Sequence, residues 1–205
     1  MKSKFNVKQL TLLAMLVAVL LLMAFTPLGY LNIGLLAITF NVIPVAIGAI
    51  ALGPAGGLIA GSVFGLTSFL QCIGIGGLSL LGSTLFSINP FFTIVLCFVP
   101  RMLDGFLLGY IFRIVGRFNR TAACFVTGFF AAFLNTAFYM SALVLLFGRT
   151  EYMQGLINGR NILVFICAFV GPTAICEMLS SPIITGAVGT VLWKAWVDGI
   201  CQYMA

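Results

Sequence analysis

Arg101, Asp104 and Glu177 draw the eye because each lies inside a long apolar stretch. A charge at the centre of a bilayer costs about 2.5–3.5 kcal/mol on insertion scales, so one that persists there has a partner or a task. A guanidinium is planar and places two parallel hydrogen bonds on a carboxylate, which makes Arg101 a candidate clamp for an anionic ligand. Asp104 follows at i+3 on a neighbouring helical face, and the competing expectation is a local ion pair that hides both charges. Glu177 could neutralise Arg101, accept from a ligand donor, or stand protonated in lipid. Asn41 and Asn135 carry amides that donate and accept, suited either to a polar small molecule or to gluing helices together. Tyr139, one helical turn after Asn135, could flank the same site or mark a membrane interface.

Other chemistry is missing. The chain has no histidine, which removes imidazole bases, Ser-His nucleophiles and histidine metal sites. Neither a catalytic residue, a metal site nor a cofactor is expected, and the chain does not read as an enzyme. Its six cysteines show no C-x-x-C spacing and behave as small hydrophobes in apolar runs. The only lysines, at 2, 4, 8 and 194, follow no glycine-rich phosphate loop, so ATP would have to be bound by another subunit.

The elements that must position these residues follow from composition. Hydrophobic residues make up 62% of the 205 and charged ones 7%, against the roughly 25–35% charge of a soluble surface. From residue 9 to residue 100 there is no Asp, Glu, Lys or Arg, and only a chain bathed in lipid leaves that much uncharged. A spanning helix needs about 20 apolar residues. Cutting at Gly, Pro and charge gives six spans near 9–26, 38–53, 55–73, 91–113, 121–147 and 161–193, an all-α membrane bundle forming a single domain, 1–205. A closed barrel would show polar/apolar alternation instead. The first run is too long for a secretion signal and lacks an A-x-A site, so it is expected as a retained helix.

Basic residues set the orientation. Alternate ends hold Lys2, Lys4, Lys8, Arg113, Arg117, Arg120 and Lys194, while the opposite loops hold Arg149 and Arg160. Both termini are therefore expected in the cytoplasm, and this dispersed charge marks loops rather than a nucleic-acid surface. The outward segments 27–37 and 74–90 are uncharged and rich in turn residues. Two expectations stand for them, a partly re-entrant cover over the bundle and a lid over a pocket opening outward. Gly57, Gly61 and Gly65 repeat every fourth residue, a stripe that lets a neighbouring helix approach closely. Ala14 and Ala18 make a shallower version.

Read together, several motifs are familiar: Ala14-x3-Ala18, F-T-P-L-G-Y at 25–30, I-P-V-A-I-G-A-I-A-L-G-P at 43–54, G-x-x-F-G-L-T-S-F at 61–69, V-P-R-x-L-x-G at 99–105, L-N-T at 134–136, and Glu177. In this order the chain resembles the substrate-binding S components of energy-coupling factor (ECF) vitamin transporters, in the broad group that contains the pantothenate-type proteins. The resemblance implies a multi-pass cell-membrane protein that captures a vitamin outside and passes it to a transmembrane coupling subunit with two ATPases. It makes Ala14 and Ala18 candidate contacts for the coupling subunit, and Arg101 and Asn135 candidate ligand contacts. Asp104 replaces the apolar residue expected at its position. The alternative from the residues alone is an autonomous carrier or channel driven by ions through Asp104 and Glu177.

Overall fold

Lipid offers no water to the backbone, so apolar runs satisfy their peptide groups as helices and punctuation residues decide where each begins. The computed structural model describes residues 7–26, 30–33, 36–75, 79–157 and 162–201. Its elements are α1 (Val7–Phe25), β1 (Tyr30–Ile33), β2 (Leu36–Thr39), α2 (Val42–Cys72), α3 (Leu80–Ile88), α4 (Pro90–Val115), α5 (Arg120–Phe147), α6 (Glu151–Ile157) and α7 (Ile162–Cys201). The Asn89 side chain caps α4 by accepting from Phe92 N–H at 3.2 Å, and Pro90 fills the first turn, where its missing N–H costs nothing. Asn119 caps α5 through Thr121 and Ala122 N–H at 3.0 and 3.2 Å. Lys2, Lys4 and Arg160, which entered the orientation argument, lie outside the described residues.

One expectation needs correction. Among the described residues five helices, not six, are long and apolar enough to cross a membrane. The spans expected at 38–53 and 55–73 are joined as α2, because a single residue, Gly53, leaves helical geometry (φ 72°, ψ −161°) and Pro54 resumes it at once. That backbone conformation is essentially restricted to glycine, and no loop is needed. The break is a reversal. A β-carbon on Gly48 would lie 3.4 Å from Ala60 Cβ, and one on Gly57 3.0 Å from Ala49 Cβ; in a straight helix residues 48 and 60 would be about 18 Å apart. Two arms, 42–52 and 54–72, thus lie side by side.

The connecting segments carry structure of their own. Residues 30–33 and 36–39 pair as antiparallel strands, with Tyr30 opposite Thr39 and Ile33 opposite Leu36, one small sheet in an all-helical fold. Tyr, Ile and Thr favour the pleated backbone there. Residues 80–88 form α3, capped where Ser79 Oγ accepts from Gly82 N–H at 3.2 Å. The last helix runs to Cys201, and its apolar crossing part is Thr173–Lys194.

The second arm of α2 and α4 run antiparallel at backbone contact. β-carbons on Gly57 and Gly61 would overlap the carbonyl oxygens of Gly105 and Arg101, and one on Gly65 would lie 3.0 Å from that of Cys97. Among the described residues the buried side chains form four apolar clusters, the smallest of which, Leu16, Ile43 and Ile47, joins α1 to the first arm of α2. One end holds Ile50, Phe112 and Cys124 with Trp193 against them. The middle holds Leu20, Val45, Phe64, Leu108 and Ala131. The end carrying α3 and α6 holds Leu85, Leu96, Leu143, Phe147 and Met153. Leu22, Phe91, Leu145, Ile183 and Val191 are exposed, as expected of faces turned to lipid.

Candidate substrate site

Arg101 lies eleven residues into α4, or about 16 Å along it at 1.5 Å per residue. The local sequence explains how a guanidinium is kept there. Pro100 has no N–H, so it cannot donate to the Leu96 carbonyl four residues back. Arg101 Nη1 takes that place, donating to Leu96 O and Cys97 O, both at 3.3 Å. Its guanidinium carbon sits 4.9 Å from the centre of the Phe64 ring and 5.0 Å from that of Tyr139, within range for attraction between a cation and an aromatic face. Phe64 belongs to the middle cluster and Tyr139 packs on the neighbouring one. The cation therefore lies at the junction of two apolar layers.

Among the described residues no carboxylate comes within ion-pairing distance (4.0 Å) of Arg101. Its Nε is buried with no hydrogen-bond partner, and so is Oδ1 of Asp104. The Arg101 charge still acts on Asp104 and Glu177 through space. Glu177 is committed elsewhere: its Oε1 accepts from the Thr39 backbone N–H at 2.6 Å, across 138 residues of sequence. Asn135 is buried on α5 one turn before Tyr139, with Oδ1 unpartnered. Asn41 is fully buried where α2 begins, and neither polar atom of its side chain has a partner among the described residues.

The structure thus gathers Arg101 and Tyr139 directly, with Asp104 and Glu177 within electrostatic reach. Asn135 adjoins this group along α5, and Asn41 follows two residues after the Thr39 that Glu177 binds. Ala14 and Ala18 lie apart, on the exposed face of α1 opposite Leu13, Leu16 and Leu20. Gly57, Gly61 and Gly65 lie on the seam with α4. Three participants were not singled out from sequence: Phe64, Pro100 and Thr39. Proline directly before an intramembrane arginine was a usable signal, since it frees a carbonyl within the arginine's reach. The contact of Thr39 with Glu177 spans too much sequence for any local pattern to show it.

The arrangement offers one cation flanked by aromatic faces, unpartnered amides, and apolar walls. It suits a small anionic molecule with further polar groups. Residues 8–189 match the family described as "ECF transporter, substrate-specific component". The chain is 31% identical over 201 residues to the pantothenate transporter PanT of Leuconostoc mesenteroides, covering 93% of this chain and 94% of that one. It is 27% identical over 169 residues to the pantothenic acid transporter PanT of Lactococcus lactis, covering 75% and 76%.

Proposed function

This chain belongs to the substrate-specific components of ECF transporters, multi-pass cell-membrane proteins that are not enzymes, and we propose that within the family it binds pantothenate and delivers it to an ATP-driven module. The observation that carries this reading is Arg101, held between Phe64 and Tyr139 with Nη1 tied to its own helix and Nε without a partner. Because no carboxylate of the described residues neutralises it, its charge is left to complement the single carboxylate of the ligand. Asn135 and Asn41 supply amides for the ligand's own amide and hydroxyls. Two relatives whose names specify pantothenate support this choice over other vitamins.

In this reading the two arms of α2 together with α1, α4, α5 and α7 make six membrane segments, with both termini inside. The Arg113, Arg117, Arg120 and Lys194 end then faces the cytoplasm. ATP hydrolysis comes from two ATPases, reached through a coupling subunit that packs on the exposed Ala14 and Ala18 face.

The test uses the purified full chain, stripped of small molecules and titrated with pantothenate. The wild type binds without ATP. Removing one side of a buried charged contact costs about 2–5 kcal/mol, so Arg101→Ala weakens binding on the order of 30- to 3,000-fold. Arg113→Ala, at the far end of α4, leaves it unchanged. Equal effects of the two substitutions overturn the assignment of Arg101. Uptake that persists in cells lacking every coupling-factor ATPase would instead favour ion coupling through Asp104, whose Oδ1 is buried and unpartnered.

A further inference from the structure

An isolated two-stranded hairpin is marginal in water, and the one at 30–39 has only four residue pairs. It contains no charged residue and interrupts the chain between α1 and α2. Something outside it must fix its position. β2 packs along α7, and a polar tie between them is the 2.6 Å bond from Thr39 N–H to Glu177 Oε1. Glu177 is only 7% exposed. An acidic side chain buried in a spanning helix is costly, and a backbone N–H donated to its oxygen offsets part of that cost.

Glu177 also lies within reach of the Arg101 charge. Its Oε1 is engaged by the Thr39 N–H, which commits that side chain to the hairpin. The chain position of Thr39 supplies a different role. It is the last residue of the hairpin and lies two residues before the buried Asn41, so a bond at Thr39 holds the hairpin at its junction with α2, beside an amide of the proposed site.

We propose that Glu177 is a positioning residue that latches the 30–39 hairpin onto α7 and thereby sets how long the ligand is retained, without touching the ligand. This rests on the reading that pantothenate sits at Arg101. The latch itself exists in the ligand-free protein and is measurable there.

The experiment uses the full chain in lipid nanodiscs and has two arms. In the first, without ligand, hydrogen exchange is followed by mass spectrometry over residues 30–41. Glu177→Ala is expected to speed exchange of this segment at least about tenfold, and Glu177→Gln, which keeps an acceptor oxygen, by less. In the second arm pantothenate association and dissociation are timed. Glu177→Ala raises the dissociation rate about 10- to 100-fold and changes the association rate little. Thr39→Pro removes the donor instead of the acceptor. Its effect on dissociation is not additive with that of Glu177→Ala, as expected for two ends of one bond. Should Glu177→Ala fail to fold, Glu177→Gln and Thr39→Pro carry both arms.

Unchanged exchange in the variants overturns the latch. So does faster exchange with an unchanged dissociation rate, or additive effects of the two substitutions. A wild-type protein that binds no pantothenate defeats the functional reading instead, and the exchange arm alone then decides whether the latch exists.

Discussion

Substituting Gly61 by alanine tests whether the α2–α4 seam sets the position of Arg101. A β-carbon at residue 61 would overlap the carbonyl oxygen of Arg101 and lie 3.1 Å from its carbonyl carbon and 3.5 Å from Met102 Cα. All three are backbone atoms, so no side chain can turn aside and α4 itself must move. Heavy atoms repel well inside about 3.5 Å, so relieving the overlap takes a shift on the order of 1 Å. Overpacking of this kind costs about 1–3 kcal/mol of stability. The displaced peptide is that of Arg101, so the guanidinium moves with it and the proposed contact with the ligand lengthens. Loss of a charged hydrogen bond, about 1.5–3 kcal/mol, corresponds to roughly 10- to 100-fold weaker pantothenate binding. Thermal unfolding in detergent and calorimetric titration read the two effects. Gly65→Ala, whose β-carbon would meet Cys97 O at 3.0 Å, should have smaller effects on both. Gly155→Ala, with nothing within 4 Å, should change neither appreciably. Gly61→Ala matching Gly155→Ala in stability and affinity would refute the claim that this seam positions the arginine.

Two further predictions separate binding from scaffolding. Asn135→Leu removes an Oδ1 that has no partner among the described residues, so stability should hold within about 0.5 kcal/mol while pantothenate affinity falls about tenfold; a large drop in melting temperature would make Asn135 interhelical glue instead. Ala14→Trp and Ala18→Trp enlarge side chains that are exposed on α1, so ligand binding by the isolated chain should survive while ATP-driven uptake in cells that supply the coupling module collapses, and uptake at the wild-type rate would remove this face from the coupling interface.

Much of the fold is legible in the sequence because lipid imposes a single rule, that each apolar run must close its own hydrogen bonds. Cutting at Gly, Pro and charge puts the starts of two spans at 91 and 121, each one residue from the observed starts of α4 at Pro90 and α5 at Arg120. What the pattern misses is how elements are joined. Gly53-Pro54 reads as punctuation, but whether the chain leaves the helix for a loop or turns back within one residue depends on a backbone torsion that composition does not encode. The hairpin at 30–39 is missed for a related reason. Its uncharged residues suit a loop, a strand or a cover equally well, and only its packing on α7 selects one.

The polar residues of the site divide along the same line. Arg101 and Asn135 are conspicuous because a charge or an amide inside an apolar run is costly wherever it points. How the cost is met is a tertiary matter. The i+3 spacing of Arg101 and Asp104 suggests mutual neutralisation, yet Arg101 turns to the carbonyls of Leu96 and Cys97 and to two aromatic rings, while Glu177 turns to a backbone N–H. These partners carry no formal charge. Carbonyl dipoles and ring faces stabilise a cation without cancelling it, and an amide N–H does the same for a carboxylate. Had Arg101 been paired with Asp104, an arriving anion would have had to break that pair before gaining its own contact. Held by neutral groups, the guanidinium has no ion pair to break before it meets a carboxylate, which is the electrostatic condition that the proposed binding without ATP requires.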